Sequence, residues 1–289
     1  MIKKGIILSG GKVTRMSPLT KAVNKQLLPI YDKPLIFYPL SILMLAKIKD
    51  ILIIINKGQL EQYKKILPNG KNLGIKITYL EQSSPKGLPD AFILGEKFIG
   101  NSNVSLILGD NFFYGQYLSK KLQECVKLSN GAQVLLHRVS KPEKYGVAKV
   151  KKNKITLIKE KPKKFVSDFA ITGLYFFDKH VVKYAKQLKP SKRRELEITD
   201  LLNKYKKINK LSADYIGRGG AWLDTGSIED FYKTSAFVSA IENRQGFKIA
   251  CLEEIALLNK WINKKHILKA IKFYGNCEYS NYLKKLIIK

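Results

Sequence analysis

GIILSGGKVTRMSPLTKAVNKQLLPI, residues 5–30, decides how this chain is read: an apolar run empties into a glycine pair, and two cations and a proline follow. Ile6, Ile7 and Leu8 are apolar without alternation, the pattern of a strand buried on both faces of a parallel sheet. Gly10 and Gly11 carry no Cβ, so a ligand can approach the backbone and consecutive N–H groups can converge on an anion. Arg15 offers a planar fork for two phosphate oxygens, and Lys25 a compact point charge. The plainer alternative, a tight strand-to-helix turn with surface cations, fits the same composition. The stretch has neither the Gly-Lys-Ser/Thr of a Walker loop nor the GxGxxG spacing of a dinucleotide fold.

Outward from this segment, apolar runs at Ile51–Ile55, Ile75–Leu80, Val104–Leu108, Ala132–Leu136, Ala148–Val150 and Leu174–Phe177 read as strands. Amphipathic stretches lie between several of them, with helices expected at Pro39–Lys47, Gln59–Leu67 and Leu88–Phe98, where Pro89 is tolerable in a first turn. The alternation predicts an α/β fold, a Rossmann-like doubly wound and mostly parallel sheet. From Ile228 onward strand signals nearly vanish, and SIEDFYKTSAFVSAIENR, EEIALLNKWI and NYLKKLI look helical. The expected organisation is therefore an α/β domain over 1–227, its nucleotide-binding part about 1–110 and its second part about 111–227, with a C-terminal helical appendage over 228–289.

Two carboxylates far apart in sequence, Asp110 in LILGDNFF and Asp224 in AWLDTG, each close an apolar run. Ligands of open α/β sheets bind beyond the carboxyl ends of the strands, so an Asp directly after Leu106–Leu108 stands at a nucleotide's position. Two hard oxygen donors meeting there suit Mg²⁺. Taken alone, Asp110 fits a turn or a helix N-cap equally well.

Composition sets bounds. The 289 residues are 45% hydrophobic, and no apolar run approaches the length needed to cross a bilayer. Met1-Ile2-Lys3-Lys4 leads into an apolar stretch too short for a signal peptide, so a cytoplasmic enzyme without membrane contact is expected. The net charge of +30 comes from 47 Lys against only six Arg, scattered over every segment instead of forming an arm or stripe, which argues against specific nucleic-acid recognition. Cys125, Cys251 and Cys277 are odd in number and widely spaced, and read as structural thiols. His137, His180 and His266 form no triad or metal cluster with other residues.

Gly10-Gly11-Lys12-Val13-Thr14-Arg15, Lys25-Gln26-Leu27-Leu28-Pro29 and Lys33-Pro34 resemble the signature GGxGTRLxPxTxxxxKQLLPxxxKP of sugar-phosphate nucleotidylyltransferases. LGDNFFYG, YGVAKV, KEKP, ITGLYFFD, LEITD and AWLDTG follow in the order and rough spacing of the glucose-1-phosphate thymidylyltransferase branch, so the resemblance covers nearly the whole chain. It implies transfer of a thymidylyl group from dTTP to glucose 1-phosphate, with Mg²⁺ held by Asp110 and Asp224. Arg15, Lys25 and Lys161 are the implied catalytic cations. The implied substrate contacts include Leu8, Gly10, Gly11, Thr14, Gln26 and Asp110, with Gln82 and Gly87 toward the base. Tyr145, Gly146, Glu160, Lys161, Ile171, Thr172 and Arg193 are implied for the sugar phosphate. By residue type alone, Glu-Lys-Pro fits a solvated turn, Arg193 an exposed helix start, and Trp222 and Tyr175 a core position as readily as a wall of the hexose site. A homo-oligomer, commonly a tetramer, is also implied, with a second nucleotide-sugar site for which Tyr114, Gly115 and Arg218 are candidates.

Four positions depart from the pattern. Val13 stands where the family has Gly, and a β-branched residue resists positive φ and close backbone approach. That sets a weakened or purely ligand-binding homologue as the alternative expectation, beside uridylyl specificity. Met16 replaces Leu, Pro89-Asp90 interrupts GLAQA and adds negative charge near a triphosphate, and Arg194 replaces a Gly next to Arg193.

Overall fold

The computed structural model describes residues 1–11, 14–152 and 154–288; Val13 lies outside them, and of Thr14 only the backbone is described. The strands are β1 (Lys4–Leu8), β2 (Pro29–Ile30), β3 (Lys33–Pro34), β4 (Asp50–Asn56), β5 (Lys76–Gln82), β6 (Val104–Leu108), β7 (Asn111–Gly115), β8 (Ala132–Arg138), β9 (Gly146–Lys151), β10 (Lys154–Glu160), β11 (Phe169–Phe177), β12 (Leu211–Tyr215) and β13 (Gly220–Asp224). The main sheet runs β10-β9-β11-β6-β1-β4-β5, and β8 joins β11 to β12 alongside it. Its first half, β6-β1-β4-β5, is parallel throughout, while β11 turns antiparallel to β6 and opens the second half. Strands of the parallel half are apolar on both faces because both are covered: Ile6 packs in one cluster with Leu52, Phe92 and Leu106, and Ile7 in another with Leu43, Ile53 and Ile107.

The helices are α1 (Phe37–Leu45), α2 (Leu60–Ile66), α3 (Asp90–Leu94), α4 (Glu96–Ile99), α5 (Leu118–Cys125), α6 (Val181–Lys186), α7 (Ile198–Lys207), α8 (Ile228–Gln245), α9 (Leu252–Leu258), α10 (Lys264–Tyr274) and α11 (Glu278–Ile288). The single helix expected over Leu88–Phe98 is broken at Gly95. A side chain there would meet the Ala91 carbonyl at 2.9 Å and Ile6 and Leu52 at 3.2 Å, so the helix lies too close to the sheet for anything but Gly. Pro89 precedes α3, where its missing N–H costs nothing, and Asp90 sits buried in the first turn, outside the cavity described below. From Ile228 on the described elements are all helices, one more than the three stretches expected, α10 being the addition. Cys251, Leu252, Ala256, Ile267, Tyr279 and Leu283 enter the same cluster as Ile7 and α1.

What positions the site is the common level at which the parallel strands end. Leu8 is paired with Ile54 on one side and Leu108 on the other, so Gly10, Asn56 and Asp110 leave the sheet at one edge. The β2–β3 hairpin that follows Lys25 is pinned to the end of α8 by a ring of alternating charge in which Lys33 and Glu242 are buried. Lys33 reaches Asp32 and, at 2.8 Å, Glu242, while Lys248 reaches the same two carboxylates. Among the described residues no helix is long and apolar enough to cross a membrane.

Candidate active site

Gly11 is locked by Asn56, whose side-chain oxygen accepts the Gly11 N–H at 3.1 Å and whose amide donates back to the Gly11 carbonyl at 3.2 Å. The Gln82 amide donates to the same Asn56 oxygen at 3.2 Å. A Cβ on Gly10 would fall 1.8 Å from the Gln82 nitrogen, so the absence of a side chain is what lets the glycine turn and Gln82 share one corner. Asn24 caps the turn that carries Lys25 and Gln26: its oxygen accepts the Gln26 N–H at 2.8 Å and the Tyr63 hydroxyl at 3.0 Å.

Two strands not among those expected from the sequence, β7 and β13, pair antiparallel with Asp224 opposite Asn111. The pairing brings the two aspartates together, and Thr225 fixes the junction by donating its N–H and hydroxyl to the Asp110 carbonyl at 3.1 and 2.8 Å. Lys25 is 3% exposed and donates to Asp110 at 2.8 Å. Burial would raise the Asp110 pKa, but the Lys25 charge and hydrogen bond outweigh it and hold the carboxyl below the usual carboxylate range. Asp224 is pushed up to about 6, first by burial and then by the charge of Asp110, with Lys25 and Arg15 opposing. Two carboxylates meet here, and burial together with Asp110 disfavours the Asp224 anion, a donor set that fits a divalent ion sharing its remaining positions with phosphate or water. Among the described residues no group of three His, Cys, Asp or Glu side chains is placed to hold a metal unaided.

The middle of the chain supplies further lining. The β9–β10 hairpin sets Gly146 against Glu160, and the Lys161 N–H donates to the Tyr145 carbonyl at 3.0 Å, so YGV and EKP become one surface. Trp222 lies 5.1 Å from the Tyr145 ring and donates its indole N–H to Asn111 at 2.6 Å. The same Asn111 oxygen accepts the Gly173 N–H at 3.1 Å, and the Asn111 amide donates to Asp110 at 3.0 Å. Glu160 has its pKa raised, by burial first and by Glu197 next, against the pull of Arg193 and Lys161.

These groups surround one open cavity of about 650 Å³. Of the expected residues, Leu8, Gly10, Gly11, Arg15, Gln82, Gly87, Asp110, Tyr145, Gly146, Glu160, Lys161, Ile171, Tyr175, Arg193, Trp222 and Asp224 line it. Lys25, Gln26 and Thr172 do not; Lys25 reaches the site through Asp110, and the Gln26 and Thr172 side-chain oxygens are buried without a partner among the described residues. Trp222 and Tyr175 are at once core and wall, 7% and 3% exposed yet bordering the cavity. Asn56 and Asn111 were not anticipated. Each is an amide at the carboxyl edge of the parallel half, which is the one sequence signal that points to them.

A glycine turn at the end of a first parallel strand and two carboxylates, lining one cavity of about 650 Å³, mark a nucleotidyl-transferring α/β protein. The chain belongs to the nucleotidyl transferase family, whose model matches residues 4–241. It is 48% identical to a glucose-1-phosphate thymidylyltransferase of Neisseria meningitidis over 99% of this chain and 100% of that protein. A Bacillus anthracis crystal structure assigned as a glucose-1-phosphate thymidylyltransferase superposes with a TM-score of 0.75 at 39% identity, covering 81% of this chain and 94% of that one. A UDP-glucose pyrophosphorylase bound to UDP-glucose superposes with a TM-score of 0.73 at 28% identity, over 85% and 100% of the two chains.

Proposed function

We propose that the chain is a glucose-1-phosphate thymidylyltransferase, joining dTTP and glucose 1-phosphate into dTDP-glucose and pyrophosphate. One observation carries the reading: Gly10, Gly11, Gln82 and Gly87 line a single cavity with Tyr145, Gly146, Glu160 and Lys161, and Arg15, Asp110 and Asp224 line the same space.

The sugar phosphate is already ionised at neutral pH, so its oxygen attacks the α-phosphorus of dTTP without a general base. A new P–O bond forms in line as the bond to the bridging α–β oxygen breaks, and pyrophosphate leaves with that electron pair. The difficulty is bringing two anions together, which Arg15, Lys25 and Lys161 offset by charge and by fixed orientation. Asp110 and Asp224 would hold Mg²⁺, which when bound neutralises charge on the triphosphate and the leaving group. Glu160 accepts hydroxyl hydrogen bonds from the hexose, and Gln82 meets the pyrimidine edge. That edge is nearly the same in thymine and uracil, so uridylyl transfer is the second reading, favoured by the likeness to UDP-glucose pyrophosphorylase.

The product fits the supply of dTDP-rhamnose and related deoxysugars for cell-surface polysaccharide, made by a cytoplasmic homotetramer. Pyrophosphate release measured with dTTP, UTP and CTP against several sugar 1-phosphates tests the assignment. Highest kcat/KM for dTTP with glucose 1-phosphate is expected; preference for UTP replaces it with the second reading, and no release from any pair overturns both.

A further inference from the structure

Asn56 closes β4 directly opposite Gln82, the last residue of β5, and the Lys57 N–H donates to the Gln82 carbonyl at 3.1 Å, so both backbones are fixed. What remains free is the facing of two terminal amides. Each carries an accepting oxygen at one corner and a donating nitrogen at the other, and turning the group over exchanges them at almost no steric cost. Which way each amide faces is therefore set by its partners.

Those partners leave one arrangement. The Gly11 N–H requires an oxygen and the Gly11 carbonyl a nitrogen, and the Asn56 side chain meets them at 3.1 and 3.2 Å. Backbone groups cannot be turned over, so the glycine turn dictates where Oδ1 of Asn56 lies. That oxygen also accepts from Nε2 of Gln82 at 3.2 Å. With the Gln82 amide reversed, its oxygen would face Oδ1 across the same gap, two acceptors with no proton between them. Orientation thus passes from Gly11 through Asn56 to Gln82.

The consequence falls on Oε1 of Gln82. The residue is 5% exposed yet lines the cavity, and among the described residues nothing donates to this oxygen, whereas one amide hydrogen is already committed to Asn56. A fixed acceptor bordering a site calls for a donor on the ligand. Thymine and uracil carry an imide N3–H between two carbonyls, while cytosine carries a lone pair at N3. For a base held in one register by its sugar and phosphates, Oε1 opposite N3 bonds the first two and repels the third; a reversed amide would do the opposite. We propose that Asn56 is a specificity-determining positioning residue, which fixes the Gln82 amide with its oxygen toward the base and so makes the site accept imide pyrimidines and reject cytosine. The proposal rests on the assignment of Gln82 to the base made above.

Calorimetric titration of dTTP, dUTP and dCTP, each with Mg²⁺, into the parent, Asn56→Ala and Asn56→Asp tests it without turnover. The three nucleotides share their sugar and phosphates, and aspartate keeps an acceptor for the Gln82 amide while losing the donor to the Gly11 carbonyl. The parent should bind dTTP ~100-fold or more tightly than dCTP, and Asn56→Ala should shrink that ratio ~10-fold or more. Asn56→Asp should weaken all three nucleotides alike, by its charge, and preserve the parent ratio. The dTTP-to-dUTP ratio should stay within about twofold throughout, because the two bases share one edge. Mere loosening of the glycine turn would lower every affinity together, so a folded Asn56→Ala with the parent dTTP-to-dCTP ratio overturns the proposal. If Asn56→Ala lacks a cooperative melt, Asn56→Asp decides: a kept ratio supports the proposal and a lost one overturns it. A parent that binds dCTP as tightly as dTTP overturns both the proposal and the role of Gln82. A parent that discriminates in binding but releases no pyrophosphate overturns the assigned reaction alone, and the titrations still decide Asn56.

Discussion

Gly10 and Asp224 show how single residues set the site's limits. A Cβ on Gly10 would strike the flexible end of Gln82, not backbone, so Gly10→Ala should fold normally yet displace the amide assigned to the base. The expected outcome is a melting temperature within a few degrees of the parent and a KM for dTTP raised ~10-fold or more by loss of a contact of about 1.5 kcal/mol. Asp224 trades stability for charge. Its folded pKa of about 6 lies above the ordinary 3.8, so its stabilising contribution is complete below pH 4 and is lost as pH rises through 6. Asp224→Asn should therefore stabilise the ligand-free protein at pH 7.5 by on the order of 2 kcal/mol, with the gain vanishing near pH 4, as thermal melts across that range would reveal. Arg194 has a left-handed backbone, with φ of +61°, which costs a residue with a Cβ on the order of 1–2 kcal/mol. The glycine pair and both aspartates were legible in the sequence because sterics and hard oxygen donors are properties of residue type. Asn56 and Asn111 were not, since an amide that braces a loop looks like any polar residue until its partners, Gly11, Gln82, Trp222 and Gly173, are known to be near.

Among the elements, the β7–β13 ribbon matters most and was least visible. The parallel strands announced themselves: Ile51 to Ile55 are all buried on both faces, and every residue of the run is apolar. NFFYG and GAWLD are five residues each, follow or precede turns, and pair across more than a hundred positions, so no local pattern marks them as partners. The break at Gly95 was hidden for the same reason, because a glycine inside a helical pattern shows its packing role only once the sheet is beneath it. Asn111 is the ribbon's fastening. Asn111→Ala leaves the Trp222 indole and the Gly173 N–H without their acceptor, so the protein should lose about 2 kcal/mol or more in denaturant unfolding. Activity should fall further than stability alone explains, since Asp110 loses the same side chain as a donor.

In the whole molecule, the two faces of the sheet are closed by different parts of the chain. One face is filled by residues between Ile6 and Tyr205, while the other combines Ile2 and Ile7 with Cys251, Leu252, Ile267, Tyr279 and Leu283. Three of the helices after Ile228 were readable as helices and α10 was not, and the sharing of a core with β1 by α9, α10 and α11 depends on contacts that no spacing encodes. Removing residues 247–289 would bare that face, and the truncated protein should lack a cooperative thermal transition by circular dichroism; a two-state melt close to the parent's would refute this. The charge of +30 is spread over the outside of this double-faced body, so retention on duplex DNA seen at low salt should disappear at physiological ionic strength. During synthesis, the face that includes Tyr279 and Leu283 stays open until α11 has cleared the ribosome. The opposite face can close roughly eighty residues sooner, after Tyr205 emerges. For that interval the nascent chain displays a greasy surface with no cover, and this is when chaperone engagement should concentrate.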